Sequence, residues 1–167
     1  ALESQPGRGS MFSITVPIAK AINHTAAVTS ATPLAKTSIG GALIVCIEND
    51  PAILDGMRTL LTAWDAEVIA VSDPESAEEA IAARNGAVTG LLVDYHLDRG
   101  NGIAAIRDIR RRFNEALPAI LITADRTVDV RTEADRIDAV LLNKPVKPAA
   151  LRATLNRLSS VGKAAAE

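Results

Sequence analysis

Cysteine is nearly absent. Cys46 is the only one in 167 residues, which excludes an internal disulfide and any metal site built from several cysteines. Inside the run Leu43 to Ile47 it reads as a small buried hydrophobe. Aromatic residues are scarce too, 2% against 48% hydrophobic residues in all. Ile, Val, Leu and Ala must therefore fill the core, a mix that suits a buried parallel sheet covered by helices. No apolar run approaches the ~20 residues needed to cross a bilayer, and no charged start is followed by an apolar stretch. Membrane contact and a secretion signal are not expected, and the chain reads as cytoplasmic. A strong charge of one sign is missing as well: a net charge of -2 leaves no footprint for nucleic acid. The cluster Arg107, Arg110, Arg111 and Arg112 reads as the solvated face of a helix whose inner face carries Ile103, Ile106 and Phe113. No internal repeat is present.

What is there has a clear order along the chain. Residues 6 to 17, Pro-Gly-Arg-Gly-Ser-Met-Phe-Ser-Ile-Thr-Val-Pro, read as a glycine turn followed by a strand with Phe12, Ile14 and Val16 on one face and no obvious partner. From Lys20 to Ser38 the composition shifts to Ala, Thr and Ser with Pro33, which marks a linker, so a domain begins near Gly41. Beyond it, short apolar runs at Leu43 to Ile47, Val68 to Val71, Leu91 to Val93, Ala119 to Ile122 and Val140 to Leu142 alternate with helix-like segments. Five strands and five helices are expected.

Helix starts carry their own chemistry. Asp50 precedes Pro51, Ser72 precedes Pro74 and Glu75 in a capping-box spacing, and Pro148 opens the last segment. Within the segments Ile53, Met57, Leu60 and Trp64, and then Leu151, Leu155 and Leu158, recur at helical spacing. Regular alternation of strand and helix implies a parallel sheet sandwiched between helices, a doubly wound α/β fold. Ligands of such sheets bind beyond the carboxyl ends of the strands.

All four informative strand ends carry polar groups: Glu48-Asn49-Asp50 after the first, Asp94 at the third, Thr123 at the fourth and Lys144-Pro145 after the fifth. Singly, each has a plain explanation, since Asp50 can cap a helix, Asp94 can start a turn, Thr123 can end a strand and Lys144 can lie in solvent. Together they form a kit for phosphoryl transfer: an aspartate nucleophile, a cation site, a hydroxyl donor and a fixed ammonium group. Magnesium suits the cation role, because it takes a few carboxylate and carbonyl oxygens and completes its shell with water and phosphate.

Glu48-Asn49-Asp50-Pro51, Leu91-Leu92-Val93-Asp94, Ile122-Thr123-Ala124 and Asn143-Lys144-Pro145 resemble the motifs of receiver domains of two-component phosphorelays, a likeness spanning about Gly41 to Val161. The resemblance implies a flavodoxin-like, five-stranded parallel sheet in the order 2-1-3-4-5, with Asp94 accepting phosphate from a phosphohistidine. It implies Glu48, Asn49, Asp94 and the backbone carbonyl of His96 as the magnesium site, Thr123 and Lys144 as phosphate-binding groups, and a cis Lys144–Pro145 bond. Two positions depart from the family pattern. Asn49 stands where receivers usually place a second carboxylate, and Leu141 stands where they usually place a Tyr or Phe that moves with the phosphorylated state.

Gly7-Arg8-Gly9-Ser10-Met11-Phe12 resembles the last glycine box of the histidine-kinase ATPase domain, with Val16-Pro17 as its closing strand. That implies the order of a hybrid sensor histidine kinase: residues 1–18 the end of the ATPase domain, 19–40 a linker, 41–161 the receiver and 162–167 a tail. No ATP site is expected in this stretch. The expected partners are a histidine-kinase dimerisation domain or a histidine phosphotransfer protein. His24 and His96 do not resemble phosphohistidine sites. A haloacid-dehalogenase-type phosphatase also uses a strand-end Asp, a hydroxyl and a Lys, but needs a second Asp where His96 stands. A binding-only pseudo-receiver is the third reading, motivated by Asn49 and Leu141.

Overall fold

The computed structural model describes residues 2–5, 7, 9–15 and 39–164. Most of the expected linker, His24, Val16, Pro17 and the last three residues lie outside them. The chain divides into two units between Leu34 and Ala35.

The described residues of the first unit form a hairpin. Strand β1, Leu2–Gln5, pairs antiparallel with β2, Gly9–Phe12, around a turn in which Gly7 takes a φ of 74°, a left-handed value natural to glycine. The strand read from sequence within residues 6 to 17 thus begins at Gly9, ends at Phe12 and has a partner. Leu2-Glu3-Ser4-Gln5 contains one apolar residue, so no alternation announced that partner. Met11, Phe12 and Ile14 are exposed.

The second unit is an α/β sandwich. Its sheet contains β3 (Leu43–Ile47), β4 (Glu67–Val71), β5 (Gly90–Asp94), β6 (Ala119–Thr123) and β7 (Ala139–Asn143), all parallel, in the order β4-β3-β5-β6-β7. Counted within this unit, that is 2-1-3-4-5, as expected. Helices α1 (Pro51–Thr62), α2 (Pro74–Ala82), α3 (Gly102–Phe113), α4 (Val128–Arg136) and α5 (Pro148–Ala164) follow the strands in turn.

Side chains alternate across each strand, and both faces are apolar. Ile44, Cys46, Leu92, Ile120 and Ile122 pack with Leu61 of α1 and Leu151 and Leu155 of α5. Val45, Ile47, Leu91, Val93, Ala119 and Leu121 pack with α2, α3 and α4. Ile39 is also buried in the α1 and α5 layer, so this core reaches two residues before Gly41. Small and β-branched residues suffice because helices cover the sheet on both sides.

Local details correct three readings. The cap of α2 is Asp73, whose carboxylate accepts from the Ser76 amide at 2.8 Å, and Ser72 donates to Asp73 instead. A carboxylate satisfies a helix N-terminus at least as well as a hydroxyl. On α1 the fully buried residue is Leu61, whereas Ile53 is exposed. Arg110 does not join a solvated face: its guanidinium donates to the carbonyls of Leu117, Ile137 and Asp138, tying α3 to the ends of two neighbouring connections. Burial holds its pKa below the ordinary arginine value. Its place, three residues before Phe113 and four after Ile106, lies on the apolar stripe.

Candidate functional site

Parallel strands put all their carboxyl ends on one edge of the sheet. Glu48 leaves β3 there, Asp94 ends β5, Thr123 ends β6 and Lys144 follows β7. Glu48 and Asp94 are each only 5% exposed, and Thr123 is fully buried.

Lys144 joins the acidic pair. Its ammonium lies 3.0 Å from Glu48 Oε2 and 3.0 Å from Asp94 Oδ1. The first contact is a hydrogen bond. The second is one of charge, and Asp94 Oδ1, though buried, has no well-aligned hydrogen-bond donor. Glu48 Oε1 accepts from the Asp50 amide at 3.1 Å, so both Glu48 oxygens are engaged. Burial alone would lower the Lys144 pKa, but Asp94 and Glu48 outweigh it and hold it above the usual lysine value. The same acidic field reaches beneath the edge: burial first, then Glu48 and Asp94, push the Cys46 thiol up to about 12.

Thr123 lies beside this group. Its hydroxyl oxygen accepts from the Asp125 amide at 3.0 Å, and its carbonyl accepts from the Lys144 amide at 2.7 Å. The Lys144–Pro145 peptide is cis. Asp50 caps α1 by accepting from the amides of Ala52 and Ile53.

Two expected magnesium ligands remain, the Asn49 side chain and the His96 backbone carbonyl. Asn49 donates its amide nitrogen to Asp98 Oδ1 at 2.7 Å. His96 is exposed, with its ring edge-on to Tyr95 at 4.8 Å between centroids. Among the described residues, no group of three or more His, Cys, Asp or Glu side chains converges on a metal-sized space. The donor set nevertheless fits magnesium, which commonly binds through one or two carboxylates and fills the rest of its octahedron with water and phosphate. The undonated, buried Asp94 Oδ1 and the Glu48 carboxylate would supply those two.

One further residue shapes the site and is inconspicuous in the sequence. A Cβ added at Gly102, the first residue of α3, would stand 2.3 Å from the Asp94 carbonyl oxygen and 2.9 Å from Leu121 Cδ1. The Gly102 amide donates to the Tyr95 carbonyl at 2.9 Å, and Asn101 caps the helix by accepting from the Ala104 amide. Glycine is required because α3 starts directly against the backbone of Asp94.

The strand order and this polar edge define a doubly wound protein of the flavodoxin-like class. Solved receiver domains share the fold. The response regulator receiver domain protein from Clostridium thermocellum matches with a TM-score of 0.68 at 21% identity, over 73% of this chain and 97% of that one. The chemotaxis protein CheY4 of Vibrio cholerae matches with a TM-score of 0.65 at 18% identity, over 71% and 99%. The CheY-like receiver domain protein from Methanospirillum hungatei gives 0.67 at 18%, over 74% and 98%. No curated protein matches the sequence. The response regulator receiver domain family matches residues 44–156, and the chain belongs to that family. Among the described residues no helix is long and apolar enough to cross a membrane.

Proposed function

We propose that residues 41–161 form a phosphoacceptor receiver in which Asp94 takes a phosphoryl group from a phosphohistidine, with magnesium as cofactor. One observation carries the reading: the Lys144 ammonium sits 3.0 Å from both Glu48 and Asp94, and Asp94 keeps a buried oxygen with no aligned donor.

The chemistry follows from these positions. A carboxylate oxygen of Asp94 forms an O–P bond while the P–N bond of the donor breaks, and its electron pair leaves with the imidazole nitrogen. Lys144 offsets the negative charge of the arriving oxygens. Thr123, buried and accepting from Asp125, turns its hydroxyl to donate to one of them. Magnesium, when bound, neutralises phosphoryl oxygens and helps align them for in-line transfer.

The wider context is the hybrid kinase. The glycine-box likeness of residues 7–12, now set on a hairpin with exposed Met11 and Phe12, supports residues 1–18 as the end of an ATPase domain, 19–40 as linker and 162–167 as tail. A histidine-kinase dimerisation domain or a phosphotransfer protein in the cytoplasm is then the partner.

Acetyl phosphate with magnesium should label the chain in the acid- and base-labile manner expected of an acyl phosphate, and Asp94→Asn should abolish the shifted band on a phosphate-affinity gel. Label persisting in that variant would exclude Asp94 as the acceptor.

The response to phosphorylation should be local. Leu141 is half-buried against the α2, α3 and α4 layer and has no ring to swing into space that Thr123 vacates. With beryllofluoride as the phosphate mimic, backbone chemical shifts should change beside Asp94 and only modestly over residues 140–158. Changes of equal size in both regions would show that another residue transmits the state.

A further inference from the structure

Asn49 and Asp98 belong to different loops flanking the acidic pocket. Asn49 lies between β3 and α1, and Asp98 between β5 and α3. Their side chains meet at 2.7 Å, Asn49 Nδ2 donating to Asp98 Oδ1. This bond chooses the orientation of the amide. An ionised carboxylate can only accept, so a carboxamide can face it only with its nitrogen. Fixing the nitrogen there turns the amide oxygen away from Asp98 and leaves it as an acceptor for a cation or a cation-bound water.

The choice matters because a carboxamide is ambivalent. With the oxygen outward it is a neutral ligand; with the nitrogen outward it presents N–H donors that repel a cation. Glu48, Asp94 and Lys144 together carry one net negative charge, and Asp98 adds a second at the rim. We propose that Asp98 is a positioning residue for divalent-cation binding: it holds Asn49 in its acceptor orientation and replaces part of the charge that an amide at position 49 lacks. The inference rests on the receiver reading of the site.

The test compares magnesium affinity by titration calorimetry in the whole chain and three variants, Asp98→Asn, Asn49→Asp and the two combined. Groups that orient a metal ligand typically alter affinity by 10- to 100-fold. For an exposed residue the low end applies, so Asp98→Asn should weaken magnesium binding about tenfold. In the Asn49→Asp background the loss should shrink to about threefold, because a carboxylate presents acceptors in either orientation and only the screened charge effect remains. A metal-free readout accompanies it: the Asn49 side-chain amide proton facing Asp98 should resonate downfield of free asparagine and lose that shift in Asp98→Asn. Equal losses in both backgrounds, unchanged affinity, or unchanged amide resonances would overturn the proposal. Absence of magnesium binding by the unaltered chain would overturn the receiver reading as well, whereas binding that Asp98→Asn leaves intact overturns this inference alone.

Discussion

Gly102→Ala should lower the unfolding free energy by about 2–3 kcal/mol, lower the melting temperature by roughly 5–10 °C, and disturb Asp94 as a phosphoacceptor. The added carbon would stand 2.3 Å from the Asp94 carbonyl oxygen and 3.0 Å from its carbonyl carbon. Strand β5 cannot retreat cheaply, since it is hydrogen-bonded to β3 on one side and β6 on the other. The first turn of α3 must lift instead, at the expense of the bond from the Gly102 amide to the Tyr95 carbonyl. Gly56 provides the opposite case. It lies within α1, where an added Cβ meets nothing within 4 Å, so Gly56→Ala should stabilise by about 1 kcal/mol through helix propensity alone. Urea melts of the two variants read both signs. A Gly102→Ala protein within about 0.5 kcal/mol of the parent, the scatter of neutral surface changes, would refute the close-approach argument.

Lys144→Ala should separate two properties that usually fall together. Phosphorylation of Asp94 should slow by at least ~100-fold, the typical cost of removing one preorganised charge stabiliser, while magnesium should bind more tightly because the competing ammonium is gone. Breaking a fully buried ion pair costs ~3–5 kcal/mol. Lys144 is 27% exposed, so water screens the loss and ~1–3 kcal/mol is expected, with magnesium restoring more stability to the variant than to the parent. The pH dependence has a defined sign. The Lys144 pKa is raised in the folded chain, so its contribution is fully present below the ordinary lysine value of 10.5 and disappears as pH rises through the higher folded value. Around neutrality the difference between parent and variant should be flat on account of this group. Acetyl phosphate labelling, magnesium titration and alkaline melts check the three parts; weaker magnesium binding in the variant would show that Lys144 holds the carboxylates in place rather than competing for them.

The hairpin shows how far local patterns reach. Gly7 and the apolar residues after it announce a turn and a strand, and Gly9–Phe12 is that strand. Its partner, Leu2–Gln5, is held by backbone pairing and a 2.7 Å contact between Ser4 and Ser10 hydroxyls, neither of which requires an apolar pattern. Arg110 fails in the other direction. Arginines in a run look solvated, yet this one occupies the inner stripe of α3 and finds the carbonyls of Leu117, Ile137 and Asp138. Those carbonyls come from connections that only the completed sheet brings within reach.

By itself the sequence determined the alternation of strand and helix, the sheet buried on both faces, and the residues at its carboxyl edge, because side-chain periodicity and strand-end polarity are local properties of the chain. The meeting of Glu48 and Asp94 across Lys144, the turning of Asn49 toward Asp98, and the need for glycine at position 102 were decided only by tertiary structure. Each depends on distances between residues far apart in the chain, set when β3, β5 and β7 take their places in one sheet. Periodicity tells which face a residue occupies, but hydrogen-bond partners and steric room are properties of the assembled packing.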